Sequence, residues 1–259
     1  MNIPVLIAAL ALAGAAIPCL AEPARPTTMI EVGLERARVS DDYGDWMGRY
    51  IRGTHESGAN VFYGELMQRH AFSDQGAYAS FGNTHTWSPD WFSSVFIGGG
   101  QDSDLWPSLR LDASLSRKWL SRRQLVTSAG VSYLRAHDEH RDYALTLGGQ
   151  YYFDGPWIIE GGARHNRSHP GNVQATSYYS ALTYGRYAER YLVMRLDSGR
   201  EAYQMVGDNP SLVDFSSDAV SLTWREWLRR DFGFNLALTH YQNTAYTRDG
   251  ASFGLFVEF

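Results

Sequence analysis

The segment Ser252–Phe259, Ser-Phe-Gly-Leu-Phe-Val-Glu-Phe, places apolar side chains at every second position and ends on an aromatic residue. Successive side chains of a β-strand point to opposite faces, so alternate residues from Phe253 to Phe259 share one face while Gly254 and Glu258 lie on the other. The first face suits lipid and the second suits a lumen. Because a bilayer excludes an unpaired sheet edge, a strand at the end of the chain must pair with the first strand. The segment therefore predicts a closed barrel that crosses a membrane.

Upstream of this segment, the chain contains a series of runs about ten residues long, which is the length that a tilted strand needs to cross the hydrocarbon core. Each run alternates in polarity and is bounded by Gly, Pro, Asp, Asn or Ser. The predicted strands number fourteen: Met29–Arg38, Trp46–Thr54, Val61–Phe72, Ala77–Trp87, Trp91–Gly99, Ser108–Trp119, Leu125–Ala136, Tyr143–Phe153, Trp157–Asn166, Val173–Tyr184, Arg190–Leu196, Ala219–Leu228, Phe232–Tyr241 and Ser252–Phe259. We therefore expect an all-β fold, a transmembrane antiparallel up-and-down β-barrel of about fourteen strands, with twelve as the alternative if weak runs merge.

The connections between these runs alternate in length. Counting from the first run, every second connection is short, as periplasmic turns are, and the other connections include the only long one, Asp197–Asp218. This segment contains Gly199, Gly207 and Asp208-Asn209-Pro210 and has little periodicity, which predicts an extracellular loop. An even number of strands then places both termini on the periplasmic side.

The amino-terminal stretch Ile3–Ile17 is almost wholly apolar and uncharged, and the small-residue exit Cys19-Leu20-Ala21 follows it. This arrangement predicts a secretory signal peptide over residues 1–21, cleaved after Ala21. A short leader over 22–27 and one barrel domain over 28–259 complete the predicted organisation. We expect the mature chain to reside in the cell outer membrane.

Composition narrows the classes of partner. Loss of the signal peptide would remove the only cysteine, which excludes disulfides and thiolate chemistry in the mature chain. The net charge is −5, Lys118 is the only lysine, and no basic cluster suggests nucleic acid. We expect no nucleic-acid partner, no metal and no cofactor. Outer-membrane lipid is one predicted partner, and barrel-assembly machinery is another, bound through Gly254, Val257 and Phe259 of the terminal assembly strand.

Tryptophans are predicted to form an aromatic girdle where the strands meet the lipid headgroups. Most of them flank the predicted periplasmic turns, whereas Trp46 and Trp106 lie near the opposite rim. The alternative is that these rings fill the hydrophobic core of a soluble β-sandwich. The girdle candidates are Trp87, Trp91, Trp119, Trp157 and Trp227.

The face opposite the apolar one predicts a lumen that carries both acids and arginines. Such a mixture is a polar conduit in which water and sugar hydroxyls find donors and acceptors, or a plug of ion pairs that fills the interior. Filling is slightly favoured, because fourteen strands enclose modest space. The lumen-lining candidates are Glu31, Glu35, Arg110, Asp112, Gln150, Glu160, Arg164, Arg195, Asp197, Arg225, Asn235 and Glu258.

Two short clusters contain residue types that could support chemistry. His137-Asp138-Glu139-His140 carries possible ligands for a divalent metal, but a solvated loop is the ordinary interpretation of such a run. His55-Glu56-Ser57 contains the residue types of a hydrolase, yet it lies at a predicted periplasmic turn and lacks nucleophile-elbow glycines. No catalytic residues are predicted.

Several stretches resemble the YaiO family of outer-membrane β-barrel proteins, and the likeness extends over nearly the whole mature chain. They are Phe72–Gly76 leading into Gly82–Trp87, Arg195–Tyr203, and Trp224–Leu228. The resemblance implies an outer-membrane barrel and, from relatives found in systems that handle exopolysaccharide, a saccharide as candidate partner. The expected function is a passive pore or binding barrel for envelope saccharide. The alternatives are an outer-membrane enzyme acting on lipid or glycan and a plugged structural barrel.

Overall fold

The computed structural model describes residues 26–41, 43–101, 103–206 and 209–259. The predicted signal peptide, its cleavage after Ala21 and residues 22–25 of the predicted leader lie outside these ranges. Among the described residues, no helix is long and apolar enough to cross a membrane.

Fourteen β-strands form one closed antiparallel barrel, in which each strand pairs with its neighbours in the sequence and the first strand pairs with the last. This confirms the predicted fold and rejects the alternative of twelve strands. The strands are β1 Thr28–Val39, β2 Trp46–Ser57, β3 Asn60–Ala71, β4 Asp74–Thr86, β5 Trp91–Gly100, β6 Leu109–Trp119, β7 Leu125–Arg135, β8 Arg141–Tyr152, β9 Trp157–His169, β10 Val173–Arg186, β11 Arg190–Val206, β12 Asn209–Arg229, β13 Phe232–Asn243 and β14 Thr247–Glu258.

The junction of β1 and β14, hereafter the seam, closes the barrel. Its register places Met29 opposite Glu258 and continues without interruption to Val39 opposite Arg248. At the end of the seam where the chain terminates, the amide of Phe259 donates to the carbonyl of Thr28 at 2.9 Å. The amide of Thr28 donates back to the carbonyl of Phe259 at 2.9 Å. Backbone pairing along the seam removes the sheet edge that the terminal strand would otherwise present to lipid.

The two faces of the sheet differ as expected from the alternation of apolar and polar residues along the strands. On β14, the outward side chain of Phe253 is 50% exposed, whereas the inward side chain of Phe256 is 1% exposed. Outward residues elsewhere on the barrel are predominantly large and apolar, with polar groups towards both rims. We call the end that carries Thr28 and Phe259 the periplasmic end, following the topology inferred from the sequence, and the opposite end the extracellular end.

The prediction of an irregular loop at Asp197–Asp218 is wrong. Strand β11 continues to Val206 and β12 begins at Asn209, so the segment is a paired hairpin with one register irregularity between Gln204 and Val206. Consecutive residues from Glu201 to Gln204 are buried, so both faces of this part of the hairpin are covered by other parts of the chain. A strand covered on both faces lacks the one-sided apolar alternation of a lipid-facing strand, and the sequence pattern therefore misses it.

Tyr50 on β2 lies across two glycines of the seam. A β-carbon added to Gly33 on β1 would overlap Cζ of Tyr50, and one added to Gly254 on β14 would stand 2.6 Å from its hydroxyl. Both contacts would be far shorter than any van der Waals contact. The absence of a side chain at these positions lets the tyrosine ring cover the junction from inside.

The barrel interior as the candidate functional site

A fully buried carboxylate, Glu31, organises the inner wall at the seam. It accepts hydrogen bonds from the Tyr50 hydroxyl at 2.8 Å, from the Arg52 guanidinium at 2.6 Å and from the Asn235 amide. Its side chain is 0% exposed. Strands β2 and β13 therefore supply donors and a counter-charge to one acid on β1, as a buried charge requires.

A second acid, Glu258, extends this network towards the periplasmic end. It accepts hydrogen bonds from Arg225 at 3.2 Å, from the Tyr187 hydroxyl at 2.9 Å and from the Trp227 indole at 3.1 Å. The Arg225 guanidinium also lies 3.8 Å from the centroid of the Phe256 ring. Four of the predicted lumen positions, on β1, β12, β13 and β14, thus belong to one packed assembly, which we call the seam network: Glu31, Arg225, Asn235 and Glu258.

The wall opposite the seam carries looser ion pairs. Arg110 on β6 is bonded to Asp112 on the same strand at 2.6 Å, and the Ser132 hydroxyl donates to Asp112 at 2.6 Å. Arg164 on β9 donates to Ser132 at 3.1 Å. The Arg110 and Asp112 side chains remain 19% and 24% exposed.

The same wall continues onto β11. The Arg195 guanidinium contacts Asp197 at 2.7 Å and Glu160 at 3.7 Å, and it lies 4.4 Å from the centroid of the Tyr179 ring. Gln150 donates to Glu160 at 2.6 Å. The Arg195, Glu160 and Asp197 side chains are each between 27% and 30% exposed. We call the ion pairs of β6–β11 the open wall.

Near the extracellular end, an ion pair meets an aromatic cluster. Glu35 accepts from Arg69 at 2.5 Å, and the Arg69 guanidinium lies 4.8 Å from the ring centroid of Trp106 and 5.5 Å from that of Trp46. Together with Glu35, the structure places all twelve predicted lumen positions on the inner face.

The aromatic cluster narrows the extracellular mouth. Phe72, in the β3–β4 turn, makes ring contacts with Tyr43 at 6.0 Å, with Trp46 at 5.0 Å and with Tyr246 at 5.7 Å. Trp106, from the β5–β6 connection, stacks on Tyr78 at 4.9 Å. We call the following buried residues the mouth cluster: Val39, Ala71, Phe72, Tyr78, Leu105, Trp106, Tyr241 and Tyr246.

Several buried polar atoms at the mouth cluster have no hydrogen-bond partner within the part of the chain that the structure describes. They are the indole nitrogens of Trp46 and Trp106, the hydroxyl of Tyr78 and one carboxylate oxygen of Glu201. Unpaired buried polar atoms are costly, so a hydroxyl-bearing solute that reached them would exchange its hydrogen bonds to water for bonds to these atoms without breaking any hydrogen bond within the protein.

Sequence reasoning missed Tyr50, Arg52 and Arg69, which hold the acids of the inner wall. Tyr50 and Arg52 are two residues apart in the predicted strand Trp46–Thr54 and therefore share a face. Because the apolar Ile51 between them occupies the lipid-facing side, this shared face is the inward one. The environment of Glu31, drawn from several strands, could not be found in this way, since alternation within one strand says nothing of which strand lies across the lumen.

The tryptophans at the periplasmic end divide into two groups. Trp87, Trp91, Trp119 and Trp157 have exposed outward side chains. The girdle prediction is wrong for Trp227, which is 8% exposed and packs inside the barrel against Tyr191 and Phe256. Trp227 lies two residues after Arg225, so the alternation that turns Arg225 inward turns Trp227 inward as well.

The histidine-rich loop between β7 and β8 docks on the β11–β12 hairpin. His140 contacts Asp138 at 2.6 Å and stacks on Tyr203 with ring centroids 3.5 Å apart. Burial alone would raise the pKa of Asp138, but backbone and side-chain hydrogen bonds from His140 outweigh it and hold this pKa below its usual value. Across the described ranges, no group of three or more His, Cys, Asp or Glu side chains is placed to hold a metal ion.

The candidate hydrolase cluster lies at the periplasmic end of β2. His55 contacts the Thr28 hydroxyl at 2.8 Å through its Nδ1 atom. Glu56 pairs through its backbone with Val61 of β3, and Ser57 pairs with Asn60. The cluster therefore forms part of a strand end beside a turn.

Solved structures share this fold. The CymD monoaromatic hydrocarbon channel has 6% sequence identity and a TM-score of 0.62, with 91% of this chain and 89% of the channel covered. A bacterial polysaccharide outer membrane secretin has 8% identity and a TM-score of 0.54, with 91% and 99% covered. Outer-membrane expressed OmpT of Vibrio cholerae has 8% identity and a TM-score of 0.53, with 90% and 97% covered. At these identities the likeness shows the fold alone.

No curated protein matches the chain. The model of the YaiO membrane beta barrel domain matches residues 27–204, which is well over half of the chain. With its closed fourteen-stranded barrel, the chain belongs to the YaiO family of outer-membrane β-barrel proteins.

Proposed function

We propose that this barrel is a passive outer-membrane conduit for an envelope saccharide, which binds along the open wall of the lumen. The observation that carries the proposal is the unequal filling of the interior. The seam network is buried, with Glu31 at 0% exposure, whereas the ion pair of Arg195 and Asp197 retains 28% and 30%. The solute path therefore follows β6–β11.

The open wall has the chemistry that a saccharide needs. Ion pairs such as Arg110–Asp112 supply charge-assisted donors and acceptors for sugar hydroxyls. The Tyr179 ring lies against Gly148 and Gly162 and carries the Arg195 guanidinium at 4.4 Å, so the C–H face of a sugar can stack on it when that guanidinium moves aside. Between these groups the wall is lined by small side chains that leave room for a solute, among them Ser114, Ser128, Ser132 and Thr146.

The mouth cluster adds a constriction to this path. Its rings meet edge to face or stacked, so solute passage there needs side chains to move aside. The polar atoms of Trp46, Trp106, Tyr78 and Glu201 that lack partners among the described residues would then bind hydroxyls of the passing solute. A small conductance in the resting state follows from this arrangement, together with saccharide-dependent changes in current.

Planar-bilayer recording of the refolded protein tests the proposal. Neutral and acidic oligosaccharides are added to either side, and we expect them to reduce the single-channel current of the wild type at millimolar concentration. The double variant Arg164→Gln/Arg195→Gln removes two open-wall cations and should weaken this block about tenfold or more, because each charge-assisted hydrogen bond contributes about 1.5–3 kcal/mol.

The matched control is Arg36→Gln, which removes a cation from the outer face and should leave the block unchanged. A barrel that shows no current, and whose tryptophan fluorescence is unchanged by every oligosaccharide, would instead be a plugged structural barrel. A current that oligosaccharides do not affect would show a pore for some other solute.

A further inference from the structure

We propose that the outer face of β7–β9 binds a phosphate-bearing lipid of the outer leaflet, with its headgroup on an arginine patch and an acyl chain in the groove beside it. We define the arginine patch as Arg135, Arg141 and Arg167. All three side chains are exposed and point outward at the extracellular ends of their strands.

The arginine patch sets like charges against each other. Arg135 on β7 is the direct cross-strand partner of Arg141 on β8, and Arg141 is the direct partner of His169 on β9. Arg167 lies two residues before His169 on the same face. Like charges directly opposite each other on a sheet are destabilising. An anion bound between these side chains would remove that repulsion, so the patch favours a negatively charged occupant.

No acid within the described ranges forms an ion pair with these three arginines; Arg167 instead bonds the uncharged Asn172. Two outward arginines elsewhere do form ion pairs with a carboxylate. Arg36 contacts Asp45 at 3.2 Å, and Arg190 contacts Glu226 at 3.2 Å.

The height of the arginine patch matches the headgroups of the outer leaflet. On β7, Arg135 lies ten residues beyond Leu125, which pairs with Trp119 at the periplasmic end. At about 3.3 Å per residue and a tilt of about 40°, this distance corresponds to about 25 Å along the membrane normal. The apolar band of such barrels is also about 25 Å tall, so the guanidinium groups emerge at its upper edge.

An apolar groove of about 510 Å³ lies on the lipid-facing side next to the arginine patch. Most of its lining residues are outward residues of β4–β8, and Val131 at 59% and Val95 at 54% are among the most exposed. Tyr133 and Tyr143 line the upper end of the groove, with ring centroids 5.2 Å apart. Each of these tyrosines is two residues from an arginine of the patch on the same strand.

The arginine patch and the apolar groove together indicate the chemistry of the molecule that binds there. Guanidinium groups bind phosphate through paired, charge-assisted hydrogen bonds, and clustered arginines at a membrane surface attract anionic headgroups. A groove lined by aliphatic and aromatic side chains suits an acyl chain. A lipid that carries both parts, such as a phosphorylated glycolipid, satisfies the arginine patch and the groove together.

Native mass spectrometry of the detergent-folded barrel tests this inference, with diphosphoryl lipid A as the probe. We expect the wild type to retain one lipid A molecule. The triple variant Arg135→Gln/Arg141→Gln/Arg167→Gln should retain it roughly a hundredfold more weakly, about a factor of five for each arginine. The double variant Arg36→Gln/Arg38→Gln removes outward cations near the same rim and should bind like the wild type.

Two further arms separate lipid from a free anion. Lipid A stripped of both phosphates should bind the wild type as weakly as the intact lipid binds the triple variant, and this arm needs no variant to fold. Ala113→Phe fills the groove with an apolar ring and should weaken retention of lipid A. Two results would overturn the proposal. One is retention of the dephosphorylated lipid equal to that of intact lipid A. The other is retention of inorganic phosphate equal to that of lipid A.

Discussion

Replacement of Glu31 by glutamine provides the sharpest test of how the seam is held closed. The carboxylate is 0% exposed and accepts hydrogen bonds from Tyr50, Arg52 and Asn235. The glutamine side chain would keep the shape but remove the charge, and it would leave the Arg52 guanidinium without its counter-charge. Neutralising one partner of a fully buried pair costs about 3–5 kcal/mol, and because the Arg52 side chain is 37% exposed, solvent lowers the cost here to about 1–3 kcal/mol. We expect the free energy of unfolding to fall by about that amount.

The assay is reversible unfolding of the barrel in lipid vesicles by guanidinium chloride, followed by tryptophan fluorescence. Asp45→Asn is the control, because it breaks the solvent-exposed pair with Arg36, and such pairs contribute about 0–1 kcal/mol. If Glu31→Gln changed stability no more than Asp45→Asn does, the seam network would not be what stabilises closure.

Three further changes test the packing, the mouth and the docked loop. Gly162→Ala places a β-carbon 2.5 Å from the Leu147 carbonyl oxygen and 2.6 Å from the Tyr179 ring and should cost about 1–3 kcal/mol in unfolding free energy, whereas Gly64→Ala, whose nearest neighbour is 3.7 Å away, should be close to neutral in the same denaturation assay. Trp106→Ala removes a ring from the mouth cluster and should raise single-channel conductance; an unchanged current would show that the constriction lies elsewhere. Asp138 has a lowered pKa, so its contribution to loop docking is present above its unfolded pKa of about 3.9 and is lost as pH falls through the folded value. Backbone amide exchange of the β7–β8 loop should therefore accelerate in acid in the wild type, and Asp138→Asn should abolish that dependence.

The alternation of apolar and polar residues at every second position predicted most of the fold. The alternation of Phe253–Phe259 predicted both the lipid face of β14 and its pairing with β1, because in a bilayer a strand has few other ways to satisfy its backbone. The same rule failed for the hairpin beyond the membrane, where the paired strand Ser198–Val206 has consecutive buried residues at Glu201–Gln204 and therefore no alternation between two unlike faces.

The sequence predicted which residues face the lumen, but it did not predict which of them contact each other. Alternation placed Glu31 and Asn235 inward, yet their contact joins residues 204 positions apart in sequence. Only the closure of the barrel brings β1 near β13. The difference between the buried seam network and the partly exposed open wall arises from that geometry, and no single strand encodes it.

The tyrosine that covers the seam has a consequence for how the last strand finds its place. A slip of β14 by one residue would turn Phe253 into the lumen, and a slip by two would bring Ser252 or Phe256 under the ring of Tyr50 in place of Gly254. Either misalignment meets a side chain where only hydrogen fits. Tyr50 and its two glycines thus act as a lock that accepts one alignment of the arriving strand, so that the cylinder, once shut, is shut in the correct frame.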